Sequence, residues 1–384
     1  MALHFDRSEY LLRQKKLIAI MEKNSLEGML LFSQESMYYL TGFDSIGYVF
    51  FQCLYFGSDG RFFLLTRAPD LRQAKHTSII EDIRIWVDGP DTDPARDLAR
   101  SVAEMGVQVR RLGVEWAAYG ITAAMGQKVR IAFDGLCELA DASKLVPMLR
   151  AIKSPAEIVF VRKAAALGDD ALEQAINMAR PGVFEGDILA SMHSAILQGD
   201  GDEASIEMII GSGRDALLSR PFSGRRQLSA QDQLTIEFGA SYRRYHAVNM
   251  RTILIGQASA RHKYLHETAV EATQACLEAF RPEHPLADVF DAFLRVSKKA
   301  GLEKHRYNAC GYSLGATFPP NWMDQPMLYR DNPTLCKPNM VFFLNIVFVD
   351  SDSGTAMCPS QTILTTETGC ERLSRVPIDL VVKD

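Results

Sequence analysis

The sequence lacks a strong charge bias and lacks any paired cysteine motif. Its 384 residues include 42 basic and 47 acidic side chains, for a net charge of -5. These charges are mixed along the chain, whereas nucleic-acid-binding surfaces need clustered Lys and Arg, so we expect no nucleic-acid partner. The seven cysteines are odd in number and scattered, without a C-x-x-C pair. This pattern predicts buried thiols in a reducing compartment rather than a disulfide framework.

Long apolar segments and nucleotide-binding motifs are also missing. No apolar run reaches the about 18 residues of a membrane-spanning helix, and the N-terminal MALHFDRSEYLLRQKK has no apolar signal-peptide core. We therefore expect a cytoplasmic protein without a membrane partner. The chain has no G-x-G-x-x-G or Walker loop and no repeat of solenoid period. With 47% hydrophobic and 23% charged residues, the composition is that of an ordinary globular protein.

Residues 1–150 alternate helix and strand patterns and predict an α/β domain. Ser8 is a candidate N-cap for a helix that runs to about Asn24. The segment GMLLF is typical of a short buried strand. The segment CLYFGSDGRFFLLT predicts a β-hairpin with its turn at Asp59-Gly60.

Residues 151–384 predict a second domain of a different class. A capping box of Ser154 and Glu157, with Pro155 between them, begins a long helix that should end near Arg180. Further helical patterns alternate with strand-rich stretches at residues 206–256 and from about 305 onward. Helices against a curved, mostly antiparallel sheet fit this order, which makes the domain α+β.

Glu237 is the first candidate functional residue, because it interrupts the apolar strand pattern LTIEFG. A carboxylate in an apolar strand is costly unless it is paired or hydrogen-bonded. One interpretation is a structural ion pair with a nearby arginine. The other is a carboxylate that performs catalysis or binds a cation.

Six segments in chain order resemble the creatinase/prolidase/methionine aminopeptidase superfamily. They are IKSPAEI, GSGRDALLSR, IEFGASYRRYHAVNMRT, CGYSLG, KPNMVFFLNI and SQTILTTETG. The resemblance covers nearly the whole chain. It implies a creatinase-like α/β domain over residues 1–150 and a catalytic domain of the pita-bread fold over residues 151–384.

The departures from this family concern its metal ligands. Members with a dinuclear metal centre bind it through two Asp, one His and two Glu. The matching positions here are Glu237, Val248, Tyr312, Asn345 and Ser360. A dinuclear site needs several carboxylates to balance its charge, and only one remains. We therefore expect neither a metal nor another cofactor.

Within the superfamily, the segment GYSLGATFPPNWMD is most similar to the metal-independent ectoine hydrolase branch. The resemblance implies hydrolysis of the cyclic amidine ring of ectoine, and of 5-hydroxyectoine too, to N-acetyl-L-2,4-diaminobutyrate. It also implies a homodimer, whose segment GYVFFQC would reach a partner's active site, and a downstream deacetylase. Arg220 stands where creatinase has a catalytic histidine, which argues against creatinase itself.

The chemistry of ectoine suggests roles for the candidate residues. Glu237 would be a general base or a nucleophile, and His246 a proton shuttle. Trp322 would hold the amidinium by a cation–π contact, and Asp324 would be a second anion for the ring nitrogens.

The remaining candidates would bind the rest of the substrate. Arg220, with Arg330 behind it, would bind the carboxylate. Tyr312 and Asn345 would donate or accept hydrogen bonds. Each candidate also has a purely structural interpretation: core packing for Trp322, a salt bridge for Arg220 and a satisfied buried hydroxyl for Tyr312.

Three other functions stay open from the sequence. Creatine turnover would indicate a creatinase-like amidinohydrolase. Stoichiometric bound metal would indicate a prolidase-type metallopeptidase. Binding without turnover would indicate a non-catalytic protein that uses the pita-bread cleft to hold a ligand or partner.

Overall fold

In the computed structural model, which describes residues 3–106, 109–220 and 225–384, the chain divides into two units. The first is Met1–Arg150 and the second is Ala151–Asp384. No helix in the described part is long and apolar enough to cross a membrane.

The first unit is built on a mixed sheet. Its strands are β1 (Gly28–Leu31), β2 (Cys53–Gly57), β3 (Phe62–Arg67), β4 (Ile83–Trp86), β5 (Arg111–Val114) and β6 (Glu138–Asp141). They lie in the order β4-β3-β2-β1-β5-β6. Its helices are α1 (Arg7–Lys23), α2 (Gln34–Thr41), α3 (Asp70–Thr77), α4 (Pro94–Glu104), α5 (Ala123–Ala132) and α6 (Leu145–Ala151). Both faces are covered: in β1, Met29 and Leu31 belong to one apolar cluster and Leu30 to another.

The local structure of this unit largely agrees with the predictions from the sequence. The strand at GMLLF and the antiparallel hairpin of β2 and β3 are both present. The N-cap prediction for α1 was wrong by two residues. The helix begins at Arg7 with Asp6 as N-cap, and the cap side chain makes no capping hydrogen bond. Because no side-chain hydrogen bond caps this helix, the preference of serine for N-cap positions does not determine where the helix begins.

The second unit combines helices with largely antiparallel sheets. The helices are α7 (Pro155–Met178), α8 (Glu185–Gln198), α9 (Ala260–Ala279) and α10 (Ala287–Lys299). The strands are β7 (Ile209–Ser212), β8 (Asp232–Tyr242), β9 (Tyr245–Ile255), β10 (Gly311–Ser313), β11 (Asp324–Met327), β12 (Val341–Leu344), β13 (Phe348–Asp350), β14 (Thr355–Met357), β15 (Gln361–Thr365), β16 (Cys370–Arg372) and β17 (Val381–Lys383). The sheets have the strand orders β17-β9-β8-β7, β11-β10-β12-β15-β16 and β13-β14.

These two architectures confirm the predicted fold class. The capping box of α7 is complete, since Ser154 and Glu157 each accept a hydrogen bond from the other's backbone N–H. The helix ends at Met178, two residues before the expected Arg180.

The long hairpin of β8 and β9 positions Glu237. On β8, the alternate residues Leu234, Ile236, Phe238 and Ala240 belong to the apolar cluster that also includes residues of α7 and α8. Because side chains alternate across a strand, Glu237 points to the opposite face. The periodicity of the strand thus directs one carboxylate away from the helix-packed core.

Gly311 allows β10 to lie close against β12. Its φ of 153° lies in a region that side-chain-bearing residues rarely adopt, and an added Cβ would lie 2.2 Å from the carbonyl oxygen of Phe343. Gly315 has more room, since its nearest neighbour would be Asp324 Oδ2 at 3.3 Å.

We expect Gly311→Ala to lower the free energy of unfolding by at least about 2 kcal/mol, because backbone must move to relieve the overlap. The matched Gly315→Ala should cost less than about 1 kcal/mol. Urea unfolding followed by circular dichroism checks both. Equal midpoints for the two variants would contradict the close approach of β10 and β12.

Candidate active site

A cavity of about 330 Å³ opens in the second unit, a size typical of small-molecule sites. Five of the residues expected from the sequence line it: Arg220, Glu237, Tyr312, Trp322 and Asn345. They come from segments that are far apart in the chain. The rest of the wall is partly apolar, with Ile206, Ile209, Met323 and Met327 among its residues.

Glu237 is a buried carboxylate without a hydrogen-bond partner in the described part of the chain, and it is only 8% exposed. Burial raises its pKa from 4.5 to about 7, and the positive charge of Arg220 opposes that rise. An ion-paired structural carboxylate would have a depressed pKa. The environment instead resembles that of groups that exchange a proton near neutral pH.

Tyr312 and Trp322 form a hydrogen-bonded pair at the cavity wall. The indole N–H of Trp322 donates to the Tyr312 hydroxyl oxygen over 2.8 Å. Burial, followed by the negative charge of Glu237, raises the pKa of Tyr312 well above its usual value. Tyr312 is therefore a neutral hydroxyl at physiological pH.

Gly239 makes room for the indole. It lies two residues after Glu237 on the same face of β8, and an added Cβ would lie 3.1 Å from Trp322 Cε3. The ring of His246 is the next neighbour, at 3.4 Å from the same position. The missing side chain thus lets an aromatic ring pack directly on the strand that carries the carboxylate.

His246 is fully buried behind this indole and does not line the cavity. Its Nε2 accepts a hydrogen bond from the Ser205 backbone N–H at 3.0 Å, so Nδ1 carries the hydrogen and lies 2.9 Å from the Arg244 carbonyl oxygen. Burial lowers the pKa of His246 to about 4. These contacts favour a structural role and give no support to the expected proton shuttle.

Asn345 follows β12, lines the cavity and occupies a position that matches a family metal ligand. Its backbone N–H donates to the Cys310 carbonyl oxygen at 2.8 Å, and the hydroxyl of Ser360 lies 3.3 Å from its Oδ1. Because Oδ1 accepts this hydrogen bond, the amide N–H groups of Asn345 are the part of the side chain that can donate to a ligand.

Asp324 and Arg330 do not line the cavity. Asp324 Oδ1 accepts the backbone N–H of Gln325 at 2.8 Å, while Oδ2 lies beside Gly315, close to the buried ammonium of Lys153. Arg330 is exposed after β11. The geometry gives no support to their expected substrate contacts, although Met323 and Met327, on either side of Asp324, do line the cavity.

Sequence reasoning missed Tyr307 and Ser219, which also line the cavity. Burial raises the pKa of Tyr307 to about 12; the hydroxyl of Ser219 partly offsets this rise, and the charge of Glu237 adds to it. Tyr307 lies in an irregular segment between α10 and β10, so no strand or helix period indicated its direction. The one feature of the sequence that could have indicated its place in the cavity wall is its position four residues before Gly311.

The five positions that match family metal ligands do not fit a dinuclear metal centre. Val248 has no donor side chain, and its backbone N–H is bound to Thr362 Oγ1 at 2.8 Å. The Tyr312 oxygen accepts from Trp322, and the Ser360 hydroxyl is shared between Asn345 and the Ile346 carbonyl oxygen. Glu237 is the one carboxylate among the five, too few for two divalent ions.

A different group of potential metal ligands lies away from the cavity. Within the described residues, it consists of His305, Asp350 and Asp352. Arg261 pairs with Asp350 at 2.6 Å and Lys304 with Asp352 at 2.7 Å. Both carboxylates are thus already paired with cations, so the group is better explained as an ion-pair network.

Comparisons with known proteins agree with this architecture. The model of metallopeptidase family M24 matches residues 160–367, and that of the creatinase/prolidase N-terminal domain matches residues 13–152. A hydrolase/peptidase of uncharacterised function, y4tM of Sinorhizobium fredii, is 27% identical over 394 residues, covering 100% of this chain and 99% of the relative. Ectoine hydrolase of Halomonas elongata is 26% identical over 400 residues, with 100% and 99% covered. The matches confirm the resemblance that the six segments indicated.

Solved structures show the same fold. The Xaa-Pro dipeptidase from Bacillus anthracis superposes with a TM-score of 0.84 at 20% identity, covering 97% of this chain and 99% of that one. A likeness at this identity concerns the fold alone.

The buried Glu237 should make stability depend on pH. Its pKa is about 7 in the folded protein against an ordinary 4.5, so the folded state holds a proton that the unfolded state has lost between these values. Stability is lost as pH rises through this window, by at most about 3 kcal/mol. We expect Glu237→Gln to raise the urea midpoint at pH 8, with a much smaller gain at pH 5.

A matched control is Glu157→Gln. Glu157 is equally buried but accepts hydrogen bonds from the Ser154 N–H and the Tyr245 hydroxyl, so its substitution should destabilise the protein. A lower midpoint for Glu237→Gln at pH 8 would show that Glu237 is paired in the folded state.

Proposed function

The chain belongs to metallopeptidase family M24, and from this premise we propose that it is a metal-independent hydrolase of the cyclic amidine ectoine. The observation that carries the proposal is Glu237, a buried carboxylate that has no hydrogen-bond partner among the described residues and lies in a cavity lined by Trp322. A cationic ligand would remove the cost of ionising that carboxylate. The 26% identity with an ectoine hydrolase over the full chain supports the choice of ligand.

The charges of the cavity complement a small zwitterion. Ectoine carries a delocalised amidinium in a six-membered ring and a carboxylate. We propose that Glu237 and the aromatic surface of Trp322 bind the amidinium, and that the exposed Arg220 binds the carboxylate. Asn345 supplies further hydrogen bonds to the substrate, and the Tyr312 hydroxyl lies in the same cavity wall. A hydroxyl on the ring, as in 5-hydroxyectoine, adds a polar group that the same site would accommodate.

The reaction that we propose uses Glu237 as a proton carrier. Glu237 takes one hydrogen from water as the water oxygen bonds to the amidine carbon. The bond from this carbon to one ring nitrogen then breaks. Both hydrogens of the water end on that nitrogen, one through Glu237 and one from the new hydroxyl. The products are an acetamide and an ammonium group, and Glu237 returns to its carboxylate form. A carboxyl group with a pKa near 7 suits both transfers.

Direct attack by Glu237 on the amidine carbon is the alternative first step. It would give a covalent adduct that water then opens. An adduct on Glu237, detected by mass spectrometry of the protein quenched during turnover, would favour this route.

Metal independence is proposed from the donor set. The five former ligand positions hold one carboxylate, one amide, two hydroxyls and one isopropyl group. The substrate itself brings the positive charge that a metal would supply. A prolidase-type metallopeptidase is disfavoured on the same ground, and a creatinase-like enzyme by Arg220 in place of histidine.

The product, N-acetyl-L-2,4-diaminobutyrate, retains an acetyl group. A deacetylase is therefore the class of reaction expected to consume it. From the resemblance to two-domain family members, we also propose that the protein is a homodimer.

The first test is proton NMR of ectoine incubated with EDTA-treated protein. We expect the ring methyl signal to be replaced by an N-acetyl signal with the wild type. Glu237→Gln should slow this conversion at least about 100-fold, because the base or nucleophile is gone. Conversion that requires added Mn²⁺, Co²⁺ or Zn²⁺ would refute metal independence. Saturable binding of ectoine without conversion would indicate a binding protein instead.

A second test is the pH dependence of turnover. Because the carboxylate form of Glu237 is the active one, we expect kcat/KM to rise about tenfold per pH unit below pH 7 and to level off above it. The corresponding limb of kcat should lie at lower pH, since the bound amidinium stabilises the carboxylate. A kcat/KM that is flat between pH 5 and 8 would exclude Glu237 as the titrating group.

A further inference from the structure

We propose that the Tyr312 hydroxyl donates a hydrogen bond to the oxygen that water adds to the amidine carbon, and that the Trp322 indole N–H sets its direction. The inference deepens the proposed function and rests on it. It assigns Tyr312 a contact with the reacting atoms, and it makes the N–H of Trp322 a positioning group.

The direction of the Tyr312–Trp322 hydrogen bond follows from chemistry. An indole nitrogen can donate but cannot accept, so at 2.8 Å the Tyr312 oxygen must be the acceptor. The hydroxyl hydrogen must then point away from Trp322. With both side chains buried, at 6% and 3% exposure, neither reorients easily.

The hydrogen of Tyr312 has no acceptor among the described residues, where Trp322 is the one hydrogen-bond partner of this hydroxyl. The hydroxyl lines the cavity together with Glu237. A buried donor left without a partner carries a desolvation cost. Whatever occupies the cavity is therefore expected to provide the acceptor.

With the substrate carboxylate bound by Arg220, the ring beside Tyr312 provides that acceptor only as the reaction proceeds. Both nitrogens of an amidinium carry hydrogen, and their electron pairs are delocalised, so the ring offers Tyr312 nothing to bind. The oxygen from water is an acceptor, and it becomes the carbonyl oxygen of the acetamide. A contact that forms after substrate binding stabilises the transition state more than the ground state, so it acts on kcat rather than on KM.

The test is a double-mutant cycle with ectoine as substrate. We expect Tyr312→Phe to lower kcat by about 10- to 1000-fold with KM changed less than about threefold. Trp322→Phe removes the N–H and weakens cation–π binding, so it should raise KM and also lower kcat. In the Tyr312→Phe background, Trp322→Phe should lower kcat no further. An unchanged kcat in Tyr312→Phe, or multiplicative kcat losses in the double variant, would overturn the proposal.

A second readout does not need turnover. The chain has three tryptophans, so ¹⁵N-labelled protein gives few indole N–H signals, and Trp322→Phe identifies its own. We expect the Trp322 signal to shift and to exchange faster with solvent in Tyr312→Phe. The signal of Trp86, which donates to the Phe51 carbonyl oxygen at 2.9 Å, should stay unchanged.

The two readouts separate the possible failures. If the wild type does not convert ectoine, the proposed function fails and the catalytic role of Tyr312 fails with it. If ectoine is converted but the Trp322 signal does not respond to Tyr312→Phe, the orienting hydrogen bond is absent and only this inference is overturned.

Discussion

The site depends on the burial of one carboxylate that no described residue binds by a hydrogen bond. Glu237 lies on the face of β8 opposite the helix-packed core, and burial raises its pKa to about 7. A buried carboxylate is ordinarily paired with a cation or a hydrogen-bond donor, since an unpaired buried charge lowers stability. The presence of Glu237 at this place is understandable if a bound ligand supplies the positive charge that pairs with it. The surrounding residues then need to exclude water from the carboxylate and to leave a cavity for that ligand.

Two glycines allow the walls of the cavity to approach each other. Gly239 lets the Trp322 ring pack on β8, and Gly311 lets β10 approach β12, so that Tyr312 lies opposite Phe343. His246, which is buried next to Gly239, makes hydrogen bonds with the backbone N–H of Ser205 and the carbonyl oxygen of Arg244. The histidine and the carboxylate have opposite effects on acid stability. Below its ordinary pKa, His246 destabilises the fold as the pH falls towards 4, whereas over part of the same range Glu237 becomes protonated and less costly.

The sequence predicted features that depend on local chemistry. The capping box at Ser154 and the alternation of β8 around Glu237 are determined within a few residues, and both are present. The directions of Asp324 and Arg330 depend instead on how β11 pairs with β10, where the register is irregular, and no local period specifies that pairing. Tyr307 lies in an irregular segment, so its place in the cavity wall is a tertiary result. The hydrogen bond between Trp322 and Tyr312 is equally non-local in its geometry, although both residues lie in one short motif.

Under the proposed function, charge balance explains how this fold could bind an organic cation where the family pattern provides for two metal ions. Two divalent ions bring about four positive charges and need several carboxylates around them. An amidinium brings one charge spread over two nitrogens, so one carboxylate and an aromatic face suffice. Additional carboxylates would repel each other in a cavity with so little compensating charge. Under the proposed function, the non-carboxylate residues Val248, Tyr312, Asn345 and Ser360 at the positions that match family ligands are those expected when the bound positive charge falls from about four to one. Under this view, Glu237 is retained because the proposed substrate still needs one counter-charge and one group that can carry its proton.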